Sequence, residues 1–414
     1  MGGLRPEVWP RKLGTALVIG AALLLLPLPA ASQTCLEALE PLLEDTSDDC
    51  IGIPSNPKYF EASTFKWGGS SRLAVNVGNE LKLWTVNDPR NPAFQAASAF
   101  NVDNQGDSDY DLLSYSVCDD CRFGVAAFKL GVALFDLGTN TSPSFAADTA
   151  YMTASEPVGG FTFKVDDQQY LLANFLPGDC GGDATLYRFD GIYEGQFEAI
   201  GCVNVPNWNV KIVNGFHLWS GNTSVLYLGF SNHRVYAFEI VTGGQNPLLR
   251  YVDHGDDVPL AYLMRGKGMA VDETHNLAVA ALKMGEMRIY DIADPANPVQ
   301  ISSRPGNWGL AAIRYPFVWV ADGSAPDSSV TWDITDPANP QPLDQGFWDG
   351  EHPWNDHGDG CEWPGGAVFS DDGSTLYFPR YSVVQLIDFE SCDRTLAGDG
   401  FETGDTSGWS AAVQ

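Results

Sequence analysis

The chain has 414 residues, and 53 acidic against 23 basic side chains give it a net charge of −30. Nucleic acid and anionic lipid are repelled by a surface of that sign, so neither is an expected partner. The same charge keeps a protein dissolved and can attract cations.

The chain opens with a basic start (Arg5, Arg11, Lys12), an apolar run from Leu13 to Leu26, the breakers Pro27 and Pro29, and the small residues Ala30, Ala31 and Ser32. That run is shorter than the roughly 18–20 residues needed to span a bilayer. Residues 1–32 therefore read as a secretory signal peptide cleaved after Ser32, which makes the expected location secreted, periplasmic or cell-surface. Cleavage removes three basic residues and one acidic residue and takes the charge from −30 to −32. No later apolar stretch is long enough for a transmembrane segment.

All eight cysteines follow the cleavage point: Cys35, Cys50, Cys118, Cys121, Cys180, Cys202, Cys361 and Cys392. An even number in an exported chain implies disulfides. Loop closure favours neighbours, so the expected pairs are Cys35–Cys50, Cys118–Cys121, Cys180–Cys202 and Cys361–Cys392. The first of these makes residues 33–57 an N-terminal disulfide-clipped segment. Cys118-Asp119-Asp120-Cys121 has a strand before it (LLSYSV) and another after it (RFGVAAF), which reads as a stapled hairpin corner. A redox motif would open a helix, and its neighbours would not be acidic.

From residue 58 to 393 a two-strand unit recurs. Seven first strands begin at Arg72, Arg122, Gln169, Ser224, Asn276, Pro316 and Ser374, each rich in β-branched, aromatic or small apolar residues. Each is followed by a shorter strand whose second residue is Trp84, Phe135, Tyr187, Tyr236, Tyr290, Trp332 or Ile387. A period of roughly 40–55 residues with several strands per unit predicts an all-β, seven-bladed β-propeller with four-stranded antiparallel blades. A lone blade would leave a sheet face bare, and stacking blades around an axis covers both faces. Lys58–Trp67 is expected to add the outer strand of the last blade and close the ring.

Two nearly identical phrases, YDIADPANPVQ from Tyr290 and WDITDPANPQP from Trp332, fall at corresponding places in units five and six. Pro295 presets φ inside a turn, Asp294 can bond backbone amides, and Pro298 forces an extended exit. The phrase is thus a corner between a third strand and an outer strand, and its prolines protect the outer edge. Asp88-Pro89-Arg90-Asn91-Pro92 repeats it in unit one. Hydrophobic-aromatic-Asp-Ile-x-Asp-Pro-x-x-Pro after a strand resembles the LVIVD repeat of secreted bacterial propeller proteins. The match is good at Asn276–Pro298 and Phe317–Pro340, fair at Leu73–Pro92, and reduced to Phe135-Asp136-Leu137 and Pro143 in unit two. The resemblance implies an extracellular or surface location and supports the architecture. Residues 394–414 form a polar tail in which Gly398–Ser410 resembles a short ending seen on exported proteins of Gram-negative bacteria, with sorting as its implied role.

Candidate site residues fall in two connections between units. Glu351, His352, Asp356, His357 and Asp359 lie between units six and seven, and Asp253, His254, Asp256 and Asp257 between units four and five. Imidazole with carboxylate can hold an ion, so His352, Asp356 and His357 are candidate ligands for Zn²⁺ or Ca²⁺. The plainer reading of both segments is a solvated acidic turn. Asp103–Asp111 alternates carboxylates but has Ser108 and Ser114 where an EF-hand needs Gly and Glu. Gly178–Asp183 lacks the Lys-Ser/Thr of a phosphate loop and reads as a turn, and there is no Gly-x-Ser-x-Gly elbow.

The preferred expectation is an exported recognition, adhesion or scaffold module that binds an extracellular protein or glycan through loops on one face. The alternative is a metal-dependent hydrolase or lactonase with Ca²⁺ or Zn²⁺ on the axis. Carboxylates and imidazoles converging on the axis would favour the enzyme, and an axis lined by Ser, Ala and Val would favour the module.

Overall fold

A computed structural model describes residues 36–44, 61–77, 80–99, 112–128, 131–139, 142–153, 160–165, 167–173, 184–189, 197–203, 212–220, 223–230, 235–241, 248–251, 268–281, 285–306, 308, 310–321, 329–343, 366–380, 383–390 and 392. The chain divides into two units, Met1–Gln33 and Thr34–Gln414, and the described sheets all belong to the second. The signal-peptide reading and the 394–414 tail lie outside the described residues.

The fold is all-β, built from antiparallel sheets that follow one another along the chain. Sheet one comprises Glu61–Trp67, Ser70–Val77, Glu80–Thr85 and Ala93–Ala99, paired in that order. Sheet two comprises Leu112–Ser116, Phe123–Phe128, Gly131–Thr139 and Ser142–Thr153, and sheet three Gly160–Val165, Gln168–Ala173, Ala184–Phe189 and Phe197–Val203. Sheet four is Ile212–Ser220, Thr223–Phe230, Val235–Val241 and Leu248–Tyr251. Sheet five is Met269–Asp272, Leu277–Ala281, Gly285–Asp291 and Val299–Gly306. Sheet six is Leu310–Arg314, Phe317–Ala321, Ser329–Asp333 and Gln341–Pro342. Sheet seven starts with Val368–Phe369, Thr375–Arg380 and Val383–Asp388, and its outer position is filled from much earlier in the chain. Glu37–Ala38 and Leu43–Glu44 both pair with Val383–Asp388.

That pairing corrects one expectation. Glu61–Trp67 is the first strand of sheet one, hydrogen-bonded to Ser70–Val77, and not the outer strand of the last sheet. The N-terminal segment is correspondingly part of sheet seven. Leu36 is buried, and Leu39 and Leu42 pack against Val384, Leu386 and the first sheet.

The second strands read as continuous apolar runs because both their faces are covered. Leu73, Ala74 and Val75 have no exposure, nor do Val318, Trp319 and Val320. The turns leading into them need a left-handed residue, and the chain supplies Gly69, Asp120, Asp167, Asn276 and Gly373. These are the residue types that adopt φ > 0 at least cost.

On the third strands the recurring aromatic faces a second-strand residue across the ladder: Trp84 faces Leu73, Phe135 faces Gly124, Tyr187 faces Leu171, Tyr290 faces Ala278 and Trp332 faces Val318. In sheet four the aromatic opposite the corresponding residue, Leu226, is Phe238, which is buried and stands two residues beyond the expected Tyr236. The Gly124–Phe135 pair is tight, since a Cβ on Gly124 would lie 2.2 Å from the ring.

Neighbouring sheets share apolar cores. Sheets one and two meet through Phe65, Leu83, Tyr115 and Phe135, and sheets three and four through Phe163, Leu186 and Phe238. Sheets four and five share Val225, Met269 and Tyr290, sheets five and six Val279, Ile289 and Val320, and sheets six and seven Trp319, Phe378 and Phe389. Sheet seven packs back on sheet one through Tyr377, Leu386, Leu73 and Trp84. Sheets two and three are joined by polar contacts: Gln169 accepts from the Phe123 amide at 3.2 Å and donates to its carbonyl, and the Thr162 amide donates to Ser116 at 3.0 Å.

The repeated turns are corners from third strand to outer strand. Asp291 accepts from the Ala293 amide at 2.9 Å and Asp333 from Thr335 at 2.8 Å. Asp294 and Asp336 then each bind a backbone amide and an Asn side chain, at Ala296 and Asn297 and at Ala338 and Asn339. Asp136 and Asp388 make the same first contact, to Gly138 and Glu390, although neither is followed by the full phrase.

Candidate functional site

The first strands of sheets one, two, three, five, six and seven contribute to the wall of one cavity of about 330 Å³. Much of this wall is small: Ala62, Gly160, Ala270, Ala311, Ala312 and Ala367 line it. Side chains of this size let several strand ends approach without filling the space between them.

The wall's hydroxyls mostly face neighbouring sheets. Ser63 donates to the Tyr115 hydroxyl at 2.9 Å, and Tyr115 donates to the Ala74 carbonyl at 2.8 Å. Ser116 lies 3.2 Å from Thr162, and Ser370 donates to Asp372 at 2.7 Å. Burial pushes the Tyr115 phenol well above its ordinary range, so it stays a neutral donor at every physiological pH.

Among the described residues two charged ones line the wall, Arg314 and Asp371. Each stands where a first strand gives way to its turn. Asp371 accepts from Ser71 of sheet one. The Arg314 guanidinium lies 3.8 Å from Asp272, whose carboxylate has no exposure. Asp272 already accepts from the Tyr315 amide at 2.8 Å, the His275 amide at 3.2 Å and His275 Nδ1 at 3.0 Å. The imidazole stacks on Tyr315 with centroids 4.5 Å apart, so Asp272 ties sheet five to the turn of sheet six.

The hairpin tip Cys118–Cys121 stands beside this end. Its disulfide closes with the Cα atoms 5.2 Å apart. Asp119 accepts from the Lys66 amide at 2.7 Å, Asp120 accepts from Gly68 at 3.2 Å, and the Asp120 amide donates to the Lys66 carbonyl at 2.7 Å. The corner is thereby docked on the first turn of sheet one. Asp119 and Glu273 keep exposed surface, yet partial withdrawal from water raises both carboxyls above the usual range. The field of Asp371 adds to the rise at Asp119, and that of Asp119 to the rise at Glu273. Carboxylates from sheets two, five and seven therefore sense one another at this end.

The residues predicted from sequence are not among these. Asp253, His254, Asp256, Asp257, Glu351, His352, Asp356, His357 and Asp359 are all outside the described residues, as are Asp103–Asp111 and Gly178–Asp183. Cys118–Cys121 is the pair expected. Cys202 and Cys392 are each disulfide-bonded to partners outside the described residues, where Cys35, Cys50, Cys180 and Cys361 also lie. Among the described residues no group of three or more His, Cys, Asp or Glu side chains is placed to hold a metal ion. No helix among them is long and apolar enough to cross a membrane.

The sequence reading missed Arg314, Asp371, Asp272 and His275. A signal was there: all four sit in or beside the turns that immediately precede the recurring strands (VDETHN, IRYP, SDDG). Comparison with known proteins finds no matching family model and no matching curated protein.

Proposed function

We propose that this chain is an exported seven-bladed β-propeller of LVIVD-repeat type that acts as a recognition, adhesion or scaffold module. Its partner is an extracellular protein or glycan held by the loops between blades on one face. The architecture is supported by the run of sheets, each packed on the next, with sheet seven returning to sheet one. It is further supported by the placement of first strands around one cavity, as inner strands surround a propeller axis. Export is supported by the basic-apolar-small order of residues 1–32 and by the Cys118–Cys121 bridge.

One observation carries the choice of module over hydrolase: the described residues of the cavity wall are chiefly Ala, Ser, Val and other uncharged residues, with one Arg and one Asp. An axial metal enzyme would instead converge several carboxylates or imidazoles on its ion. The connections 252–267 and 344–365 supply the binding face, with Asp253–Asp257 and Glu351–Asp359 as its polar contacts.

Metal content of the purified mature protein, paired with melting curves with and without EDTA, tests the choice. The module reading expects no stoichiometric ion and no shift. A stoichiometric Ca²⁺ or Zn²⁺ whose removal lowers the melting temperature overturns it in favour of a hydrolase. N-terminal sequencing of the exported form tests the signal, with Gln33 as the expected first residue.

A further inference from the structure

Two opposite charges share the cavity wall and do not pair. Arg314 ends the first strand of sheet six, and Asp371 closely follows the first strand of sheet seven. Among the described residues the carboxylate that Arg314 meets is Asp272, a loose ion pair at 3.8 Å and beyond hydrogen-bond reach, and Asp272 already accepts from three other donors. Among the described residues no hydrogen bond reaches the guanidinium, although the side chain is largely withdrawn from water, with 29% of it exposed. Asp371 accepts from Ser71 on one oxygen and leaves the other without a donor among the described residues. A guanidinium at one strand end and an open carboxylate oxygen beyond the next thus line the same cavity.

We propose that the cavity is a binding site for a small zwitterion, a free α-amino acid with an apolar side chain. Its carboxylate lies on Arg314, its ammonium on Asp371, and its side chain against the uncharged wall. A planar guanidinium suits a carboxylate because two parallel N–H donors meet two oxygens. The ammonium is a compact charge that a single carboxylate can hold, and the nearby carboxylates of Asp119 and Glu273 add potential of the same sign. Met269, Val271, Phe161 and Val368 supply the apolar surface.

The volume of about 330 Å³ lies at the small end of ligand pockets, which run from roughly 300 to 1,000 Å³. A simple anion meets Asp371 and its acidic neighbours, and a simple cation meets Arg314, so neither alone satisfies the pair. A sugar needs many free hydrogen-bond partners, whereas Ser63, Ser116 and Ser370 already bond within the protein.

The experiment is calorimetric titration and thermal melting of the full mature protein with L-leucine. Two half-ligands are run beside it: isovalerate, which keeps the carboxylate, and isoamylamine, which keeps the amine. Leucine is expected to bind with measurable heat and to raise the melting temperature, and each half-ligand to bind at least about tenfold more weakly. Arg314→Gln and Asp371→Asn are each expected to weaken leucine by a similar factor, with circular dichroism confirming that they fold. If either variant fails to fold, the half-ligand comparison on the unmodified protein decides. Absence of heat and of any melting shift with leucine at millimolar concentration overturns the proposal. So does binding of either half-ligand as tight as that of leucine. The proposed site is the cavity wall alone, so its failure would leave the reading of the partner-binding loops untouched.

Discussion

Sheets six and seven carry the same third-strand device and complete themselves in opposite ways. In sheet six, Asp333 and Asp336 fold the chain through a tight corner, and the outer strand Gln341–Pro342 follows at once. In sheet seven, Asp388 caps the third strand through the Glu390 amide, but the outer strand arrives from Glu37–Ala38 and Leu43–Glu44. A local corner closes a few residues of chain, whereas the second arrangement fixes two distant segments together and pays their loop entropy. Side-chain contacts must offset that cost. Leu36 is buried at the junction with Cys392 and Phe389, Leu39 and Leu42 pack on Val384 and Leu386, and Gln385 donates to the Leu39 carbonyl at 2.5 Å. Arg90 of sheet one adds ion pairs to Asp388 and Glu390, and Tyr377 donates to the Pro89 carbonyl at 3.0 Å. A corner can be built from turn residues, while a long-range clasp needs apolar side chains.

The largest effect should come from removing residues 36–44 from the mature chain. Burial of a Leu-sized side chain is worth about 1.5–3 kcal/mol, so losing Leu36, Leu39 and Leu42 together should cost on the order of 5 kcal/mol. Urea denaturation followed by fluorescence is the measurement. An unchanged midpoint would mean that the clasp adds nothing and that the two sheets do not differ in what holds them.

Next is Asp272→Ala, which strips the bond between sheets five and six without touching either outer strand. Two backbone amides, those of His275 and Tyr315, lose their acceptor, and the expected loss is about 2–4 kcal/mol. The same denaturation curve reads it. Asp272→Asn retains one acceptor oxygen and should recover part of the loss.

Asp333→Ala set against Asp388→Ala probes the two third strands directly. Each removes the same acceptor for an amide two residues on, worth about 1 kcal/mol. Asp388 is also the buried partner of Arg90 at 2.6 Å, with 5% of its side chain exposed. Its loss should therefore exceed that of Asp333, and Arg90→Ala should erase most of the difference. Equal losses in the two variants would show that the Arg90 contact is only a surface ion pair.

What the sequence made legible divides along the same line. Second strands announced themselves as unbroken apolar runs, and the Asp-Pro-Ala-Asn-Pro corners named their own geometry, because both signals are local. The clasp did not, because its two short strands flank Leu39–Leu42, where Pro41 breaks any period-two pattern. Tyr236 and Phe238 are two apart and so in phase on a strand, and only the ladder to Leu226 could say which of them fills the recurring place. Arg314 and Asp371 lie 57 positions apart by number and belong to no motif; only the meeting of sheets six and seven puts them on one wall. The residues that looked chemical in sequence, the histidines and acids between units, are in the long connections, whose placement no strand pattern encodes.

The smallest expected effect reads the clasp through charge. Asp119 and Glu273 come from sheets two and five, yet the field of the first acts on the second. Both carboxyls are raised in the folded protein, with withdrawal from water as the first cause. A carboxyl whose folded value exceeds its unfolded value of about 4 binds its proton more tightly when folded. The folded state therefore gains stability as pH falls through the raised values toward that figure, and loses it again as pH rises. Both residues are exposed, so solvent screening keeps the gain small and added salt should shrink it further. Asp119→Asn and Glu273→Gln should each raise the melting temperature slightly at neutral pH, and the double variant should gain less than the two singles together. If the coupling depends on sheet seven being held against sheet one, that shortfall should disappear when residues 36–44 are removed. A shortfall of the same size in the truncated chain would show that sheets two and five hold their places without the clasp.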